Sequence, residues 1–209
     1  MPTVALIGDS HSQALWPNVR KALAGTDYEV VFSEANAGWA EHTYRSRMPD
    51  LPARLASAKP DVVVVELGAN VPYTRGTERY AEEMRWLLQV AKDAGANRII
   101  WYGPPATSSS ADPSITRNHE WATEQQAALL PSLGVEWYDP RDITRTGHRS
   151  DGVHFDSASY VRWAGEIANT ITNPPGFSLT RIPKAAVISG TVGLAALLIV
   201  VAMRLRGRL

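Results

Sequence analysis

Short apolar runs alternate along this chain with longer amphipathic stretches. The runs at 3–7, 28–32, 62–67, 98–102 and 135–138 are β-branched or aromatic, and each adjoins a Gly, Pro, Asn or Asp, the signature of strand followed by turn. Val62, Val63, Val64 and Val65 follow one another without a polar residue, so this run is expected inside a sheet covered on both faces. Between the runs lie helical candidates at 12–23, 52–57, 77–94, 117–130 and 157–172. In the third, Tyr80, Met84, Leu87, Leu88 and Ala91 recur at helical spacing and form one apolar face. Strands alternating with helices predict an α/β protein, a three-layer α/β/α sandwich on five parallel strands. Ligands are then expected beyond the carboxyl ends of the strands.

A different pattern closes the chain. Residues 185–203 contain no charged side chain and only Ser189 and Thr191 as mild polar groups. As a helix these 19 residues would span roughly 28 Å, close to the hydrocarbon core of a bilayer. Arg181 and Lys184 flank the segment on one side, and Arg204, Arg206 and Arg208 on the other. One C-terminal transmembrane helix is therefore expected. The small-residue pairs Ala186/Gly190 and Ser189/Gly193 would allow weak homo-association of two such helices. Pro174, Pro175 and Gly176 break the preceding helix. The organisation reads as a catalytic-sized body at 1–172, a linker at 173–184, the membrane helix at 185–203 and a basic tail at 204–209.

Charge sharpens this division. The formal net charge is zero, yet residues 1–180 carry 16 basic against 21 acidic groups, a net of −5, and the remaining five basic residues follow Thr180. An acidic body leaves no basic face for phosphates, so nucleic acid is not an expected partner. The absence of cysteine excludes a disulfide scaffold and a thiol nucleophile. The opening residues lack the basic-then-apolar pattern of a secretory signal. A tail anchor with its body in the cytoplasm is the simplest expectation, and the membrane of a virion also fits.

Four polar clusters fall at the same edge of the expected sheet. Gly8, Asp9 and Ser10 follow the first strand, Gly38 the second, Gly68 and Asn70 the third, and Asp151 and His154 the fifth. A serine hydroxyl becomes nucleophilic when a histidine takes its proton and a carboxylate fixes that histidine's tautomer. Ser10 at a helix N-terminus has backbone N–H groups nearby for an oxyanion. Asp151 and His154, three residues apart, can point the same way and hydrogen-bond. An amide such as Asn70, with the N–H groups of Ser10 and Gly38, completes an oxyanion hole.

The ordered set Gly8-Asp9-Ser10, Gly38, Gly68-x-Asn70 and Asp151-x-x-His154 resembles the four blocks of the SGNH (GDSL-like) hydrolases over most of residues 3–170. That resemblance implies a flavodoxin-like sheet and esterase or acyltransferase activity. It also implies Ser10 as nucleophile, His154 as base, Asp151 as orienter, and Ser10, Gly38 and Asn70 as oxyanion donors. The first block continues with His11 and Ser12, a form that resembles SGNH modules acting on O-acyl groups of sugars. Val71 stands where the family usually has an aspartate after the Asn of its third block.

Other readings of the same residues stay open at this stage. Gly8-Asp9-Ser10 also suits an ordinary strand-to-helix turn with a capping residue. His148, Asp151 and His154 have the spacing of metal ligands, but no further His-rich cluster or cysteine supports a metal site. His11, His42 and His119 read as surface or packing residues, with His11 able to line a pocket. Glu82 and Glu83 read as solvated charge on a helix. No GxGxxG, Walker A or GxSxG motif is present, and no cofactor is called for. Trp16, Trp39 and Tyr73 lie near the expected site in sequence and suit stacking on a sugar, and equally an acyl pocket or plain core. The expected function is a membrane-anchored serine esterase acting on a small acyl ester or an O-acylated glycan. A lipid or thioester hydrolase, or a non-catalytic module with the same shell, is the alternative.

Overall fold

In the computed structural model β1 (Thr3–Gly8), β2 (Glu29–Ala35), β3 (Val62–Glu66), β4 (Arg98–Tyr102) and β5 (Glu136–Tyr138) form one parallel sheet in the order β2-β1-β3-β4-β5. The structure describes residues 1–174, which make one unit. The membrane segment expected at 185–203 and the basic tail lie outside the described residues, as does most of the linker. Among the described residues no helix is long and apolar enough to cross a membrane.

Among the described residues six α-helices connect and cover the strands: α1 (Ser10–Leu23), α2 (Glu41–Arg47), α3 (Leu51–Ala58), α4 (Thr77–Asp93), α5 (Pro113–Leu129) and α6 (Ser157–Thr172). The pleat sends alternate side chains to opposite faces. Val4, Leu6, Val62 and Val64 pack against Leu15, Trp16 and Val19 of α1 and Trp163 and Ile167 of α6. Ala5, Ile7, Val63 and Val65 pack against Leu51 and Leu55 of α3, Tyr80, Met84 and Leu87 of α4, and Ala122 of α5. Burial on both faces is the reason β3 is valine throughout its interior. The far end of α6 is fastened as well. Arg98 forms a bidentate pair with Glu136 at 2.6 and 2.7 Å, and donates to the carbonyls of Thr170 and Ile171 at 2.8 Å. Those carbonyls belong to the last turn, where a helix lacks internal donors and a cation is favoured.

This strand order puts a switch point between β1 and β3. The chain leaves β1 toward one side of the sheet and enters later strands on the other, so the loops after β1 and β3 diverge and open a crevice. Ser10 follows β1 and Asn70 follows β3, and both therefore stand at its rim.

Several local expectations change. The first helix begins at Ser10 rather than at residue 12, because Asp9 caps it by accepting the His11 N–H at 2.9 Å. The helix expected from residue 117 starts at Pro113, with Asp112 accepting the Ser114 N–H at 2.7 Å as its cap. Helix α2 was not anticipated; its seven residues are too few to show a periodicity, and Tyr44 alone supplies its apolar anchor. Glu83 is not solvated charge. It is 4% exposed and faces α2 and the chain before α4, paired with Arg75, with Arg79 at 3.7 Å and with His42 at 3.9 Å. Trp16 is a core residue, 2% exposed beneath α6 rather than in a pocket.

Candidate active site

Ser10 owes its position to a very close approach of α1 to the end of β1. A Cβ on Gly8 would lie 1.8 Å from Ser12 Oγ, so only glycine allows the chain to turn so tightly from strand into helix. The turn leaves Ser10 as the first residue of α1, where backbone N–H groups have no partner within the helix and the dipole favours negative charge.

The second half of the site is local in sequence. Asp151 Oδ1 accepts the N–H groups of Val153 and His154, both at 2.9 Å, which folds the loop into a tight turn. Gly152 sits at the bend with φ +71°, and a Cβ there would lie 2.3 Å from the Ala111 nitrogen, so conformation and space both require glycine. Ser108 N–H donates to the Gly152 carbonyl at 2.9 Å and fixes the loop from outside. Asp156 then caps α6 through the Ser159 N–H at 2.7 Å. Because α6 packs on α1, the residues just before it arrive at Ser10.

There the three side chains connect. Asp151 Oδ2 lies 2.8 Å from His154 Nδ1, and His154 Nε2 lies 3.1 Å from Ser10 Oγ. A carboxylate can only accept, so Nδ1 carries the hydrogen and Nε2 presents its lone pair to the serine hydroxyl. Partial loss of water works against the Asp151 charge, but the two backbone N–H groups and the His154 ring outweigh it and hold the carboxyl at about 2. The tautomer is thereby fixed across the physiological range.

Asn70 reaches the same place from the loop after β3. Its Nδ2 donates to Asp9 Oδ2 and to the Trp39 carbonyl, both at 3.1 Å, so both amide hydrogens are committed. Ser10, Asn70, Asp151 and His154 line one cavity of about 510 Å³. Gly38 does not line it. It lies on the exposed turn after β2 with φ +73°, one residue before Trp39, whose ring packs edge-on against Tyr44, 5.0 Å between centroids. Trp39 thus serves the site through its carbonyl and the core through its ring.

Of the remaining wall, the sequence marked only His11 as able to line a pocket. His11 is fully buried and lines the cavity with its ring centroid 5.1 Å from that of His154. Burial lowers its basicity, and its Nδ1 is 3.2 Å from Tyr160 Oη. Helix α5 contributes Ile115, Asn118 and His119. His119, expected as a surface or packing residue, is 3% exposed; burial lowers its basicity too, and its Nδ1 donates to the Pro105 carbonyl at 3.0 Å. The available signal was a polar stripe where a buried face should be apolar: His119, Thr123 and Gln126 are all buried at helical spacing. His148 does not join His154. Its Nε2 faces the Ala106 carbonyl at 2.9 Å and its ring lies against Phe155. Among the described residues no three His, Asp or Glu side chains are grouped to hold a metal ion. A larger cleft of about 800 Å³ between α2 and α4 excludes the triad, and its Arg45, Arg75 and Arg79 are balanced by Glu78, Glu82 and Glu83.

Comparison with known proteins agrees with this architecture. A family described as a protein of unknown function, DUF459, matches residues 3–150. No curated protein matches the chain. Among solved structures, a carbohydrate acetylesterase from Sinorhizobium meliloti superposes with a TM-score of 0.64 at 18% identity, covering 82% of this chain and 99% of that one. A lipase/acylhydrolase from Enterococcus faecalis gives 0.61 at 21% identity, covering 82% and 95%. The native aryl esterase of M. smegmatis gives 0.65 at 18% identity, covering 82% and 99%. The α/β fold on five parallel strands is shared with these esterases and acylhydrolases.

Proposed function

The chain belongs to the DUF459 family, and from its fold and its site we propose that it is a serine esterase that hydrolyses or transfers a short O-acyl group. The observation that carries this reading is the continuous hydrogen-bonded chain from Asp151 Oδ2 through His154 to Ser10 Oγ. Ser10 Oγ attacks the ester carbonyl carbon as its proton passes to His154 Nε2. The carbonyl oxygen takes the negative charge beside the Ser10 N–H and Asn70 Nδ2, with the Gly38 N–H a third donor by resemblance alone. The imidazolium, stabilised by Asp151, returns the proton to the leaving alcohol, and an acyl-serine remains. Water, or a second hydroxyl in a transfer, then attacks that acyl group while giving its proton to His154. Collapse releases the acid or the new ester and restores Ser10. Labelling of Ser10 by a fluorophosphonate tests the assignment directly, and an unlabelled, folded protein would refute it.

For the substrate we favour acetyl carried on a carbohydrate. The Sinorhizobium meliloti structure is a carbohydrate acetylesterase, which supports the substrate class by analogy of fold. In this chain Tyr73, 41% exposed, follows the lining residue Pro72. Its N–H is held by Asn118 Oδ1 at 3.0 Å and the Arg117 guanidinium lies 5.3 Å from its ring centroid. A braced, exposed ring of this kind suits stacking on a sugar. Tyr73→Ala should raise KM for an O-acetylated oligosaccharide roughly five- to tenfold, as loss of an aromatic contact implies. Hydrolysis of p-nitrophenyl acetate should not change. Equal effects on the two substrates would remove Tyr73 from substrate recognition.

Membrane attachment rests on the apolar run 185–203 and its basic flanks. All residues assigned to the reaction precede Pro174. A chain ending at Asn173 is therefore expected to be soluble, to melt cooperatively and to retain full activity on p-nitrophenyl acetate, while the full-length protein requires detergent or bilayer. Aggregation of the shortened chain, with the full chain soluble alone, would place 185–203 in the core instead. Protease protection in sealed vesicles would show which side of the membrane carries the body.

A further inference from the structure

Directly behind the nucleophile lie two buried carboxyls that the reaction as written does not use. Glu66 ends β3 and pairs in register with Gly8, the residue before Asp9. Both acids are fully buried, and the β1–β3 register brings their carboxyls close enough to act on each other. Ser12 Oγ donates to Glu66 Oε2 at 2.7 Å, the Asp9 backbone N–H also favours the Glu66 charge, and Oε1 receives no side-chain donor, which leaves it open to a proton shared with Asp9. Asp9 in turn holds the His11 N–H on Oδ1 at 2.9 Å and Asn70 Nδ2 on Oδ2 at 3.1 Å.

Two ionised carboxylates in contact, shut off from water, repel strongly, so the pair keeps at least one proton between them. The groups facing them do little to offset this. Helix α1 offers His11, kept neutral by burial; α2 offers Glu41 and Tyr44, and α6 offers Tyr160. His154 is the one facing group that becomes cationic during the reaction. Among the described residues, the strongest influences on Asp9 and Glu66 include no lysine or arginine. Burial pushes Asp9 up to about 7 against the hydrogen bonds that favour its charge, and pushes Glu66 well above the usual carboxylate range, with the Asp9 charge adding to the effect.

We propose that Glu66 is a positioning residue whose proton, shared with Asp9, governs whether Asn70 can donate to the oxyanion. With the pair neutral, Asp9 accepts the Asn70 hydrogen only as a weak neutral partner, and the amide can turn that hydrogen to the reacting oxygen. Once the pair loses a proton, Asp9 becomes a carboxylate and grips Asn70 through a charge-assisted bond. Catalysis must then break that bond, which slows it about tenfold or more. Glu66 tunes the transition because its O–H stabilises the Asp9 anion. An amide at residue 66 keeps an acceptor for Ser12 but is a weaker donor to Asp9, so the anion forms at higher pH.

This inference rests on Ser10 being the esterase nucleophile. The test is the pH profile of kcat for p-nitrophenyl acetate with the full-length protein, corrected for spontaneous hydrolysis. The wild type should lose activity on the alkaline side of neutrality, and Glu66→Gln should move that fall upward in pH with KM unaffected. In an Asn70→Ala background Glu66→Gln should produce no such movement. An unmoved alkaline limb, or one that still moves without Asn70, overturns the proposal. Should Glu66→Gln fail to fold, infrared spectroscopy of the wild type decides the matter. A buried carboxylic-acid carbonyl band should vanish with the same midpoint as kcat, and a band that stays constant through that midpoint refutes the link. Absence of any Ser10-dependent hydrolysis is a separate result, and it would defeat the esterase reading itself.

Discussion

Ser10→Ala is expected to lower kcat for a small acetyl ester by at least about 10³-fold while leaving the thermal transition in place. Among the described residues Ser10 Oγ has one side-chain hydrogen-bond partner, His154 Nε2 at 3.1 Å. Removing the hydroxyl deletes the attacking atom and little else. His154→Ala should cost about as much, because an unactivated serine at neutral pH is hardly a nucleophile. The double variant should be scarcely worse than either single one, since the two groups act as a unit. Steady-state kinetics of the three proteins, alongside their melting curves, checks this. Residual activity of the purified Ser10→Ala protein at more than a few per cent would end the triad assignment, as would additive losses in the double variant.

The second large effect belongs to Asn70. Its replacement by alanine should reduce kcat about 10²- to 10³-fold with KM nearly constant, the behaviour of a donor that strengthens its bond only as charge develops on the carbonyl oxygen. The resting structure has both hydrogens of Asn70 committed, one to Asp9 and one to the Trp39 carbonyl. Donation to an oxyanion thus exchanges one partner for another, which makes the lower part of that range the better expectation. The same contacts tie the β3 loop to the loop carrying Trp39, so a modest fall in melting temperature should accompany the kinetic loss. A variant in which KM rises and kcat holds would reassign Asn70 to substrate binding.

Legibility in the sequence followed distance along the chain. The α/β alternation was readable because periodicities of two and 3.6 residues are local properties. The Asp151–His154 contact was readable for the same reason, being closed within three residues by hydrogen bonds from one turn. Ser10 could be placed because glycine and aspartate mark the passage from an apolar strand to a helix. Short elements were unevenly visible. The three-residue β5 falls within the run marked at 135–138, whereas helix α2 is held by what packs against it rather than by a pattern of its own.

By itself, then, the sequence determined the alternation of strands and long helices, the edge at which the polar clusters gather, and the one contact of the candidate site that is local. Only the tertiary structure decided which distant residues share the site. The β1–β3 register sets Glu66 beside Asp9, although 57 positions separate them along the chain. The packing of α6 on α1 brings His154 to Ser10, and the approach of α5 puts His119 in the cavity wall while Gly38 stays outside it. The physical reason is that a strand's register and a helix's azimuth are fixed by burial over the whole core. A polar side chain carries no mark, in its own neighbourhood of sequence, of the partner that burial will force upon it.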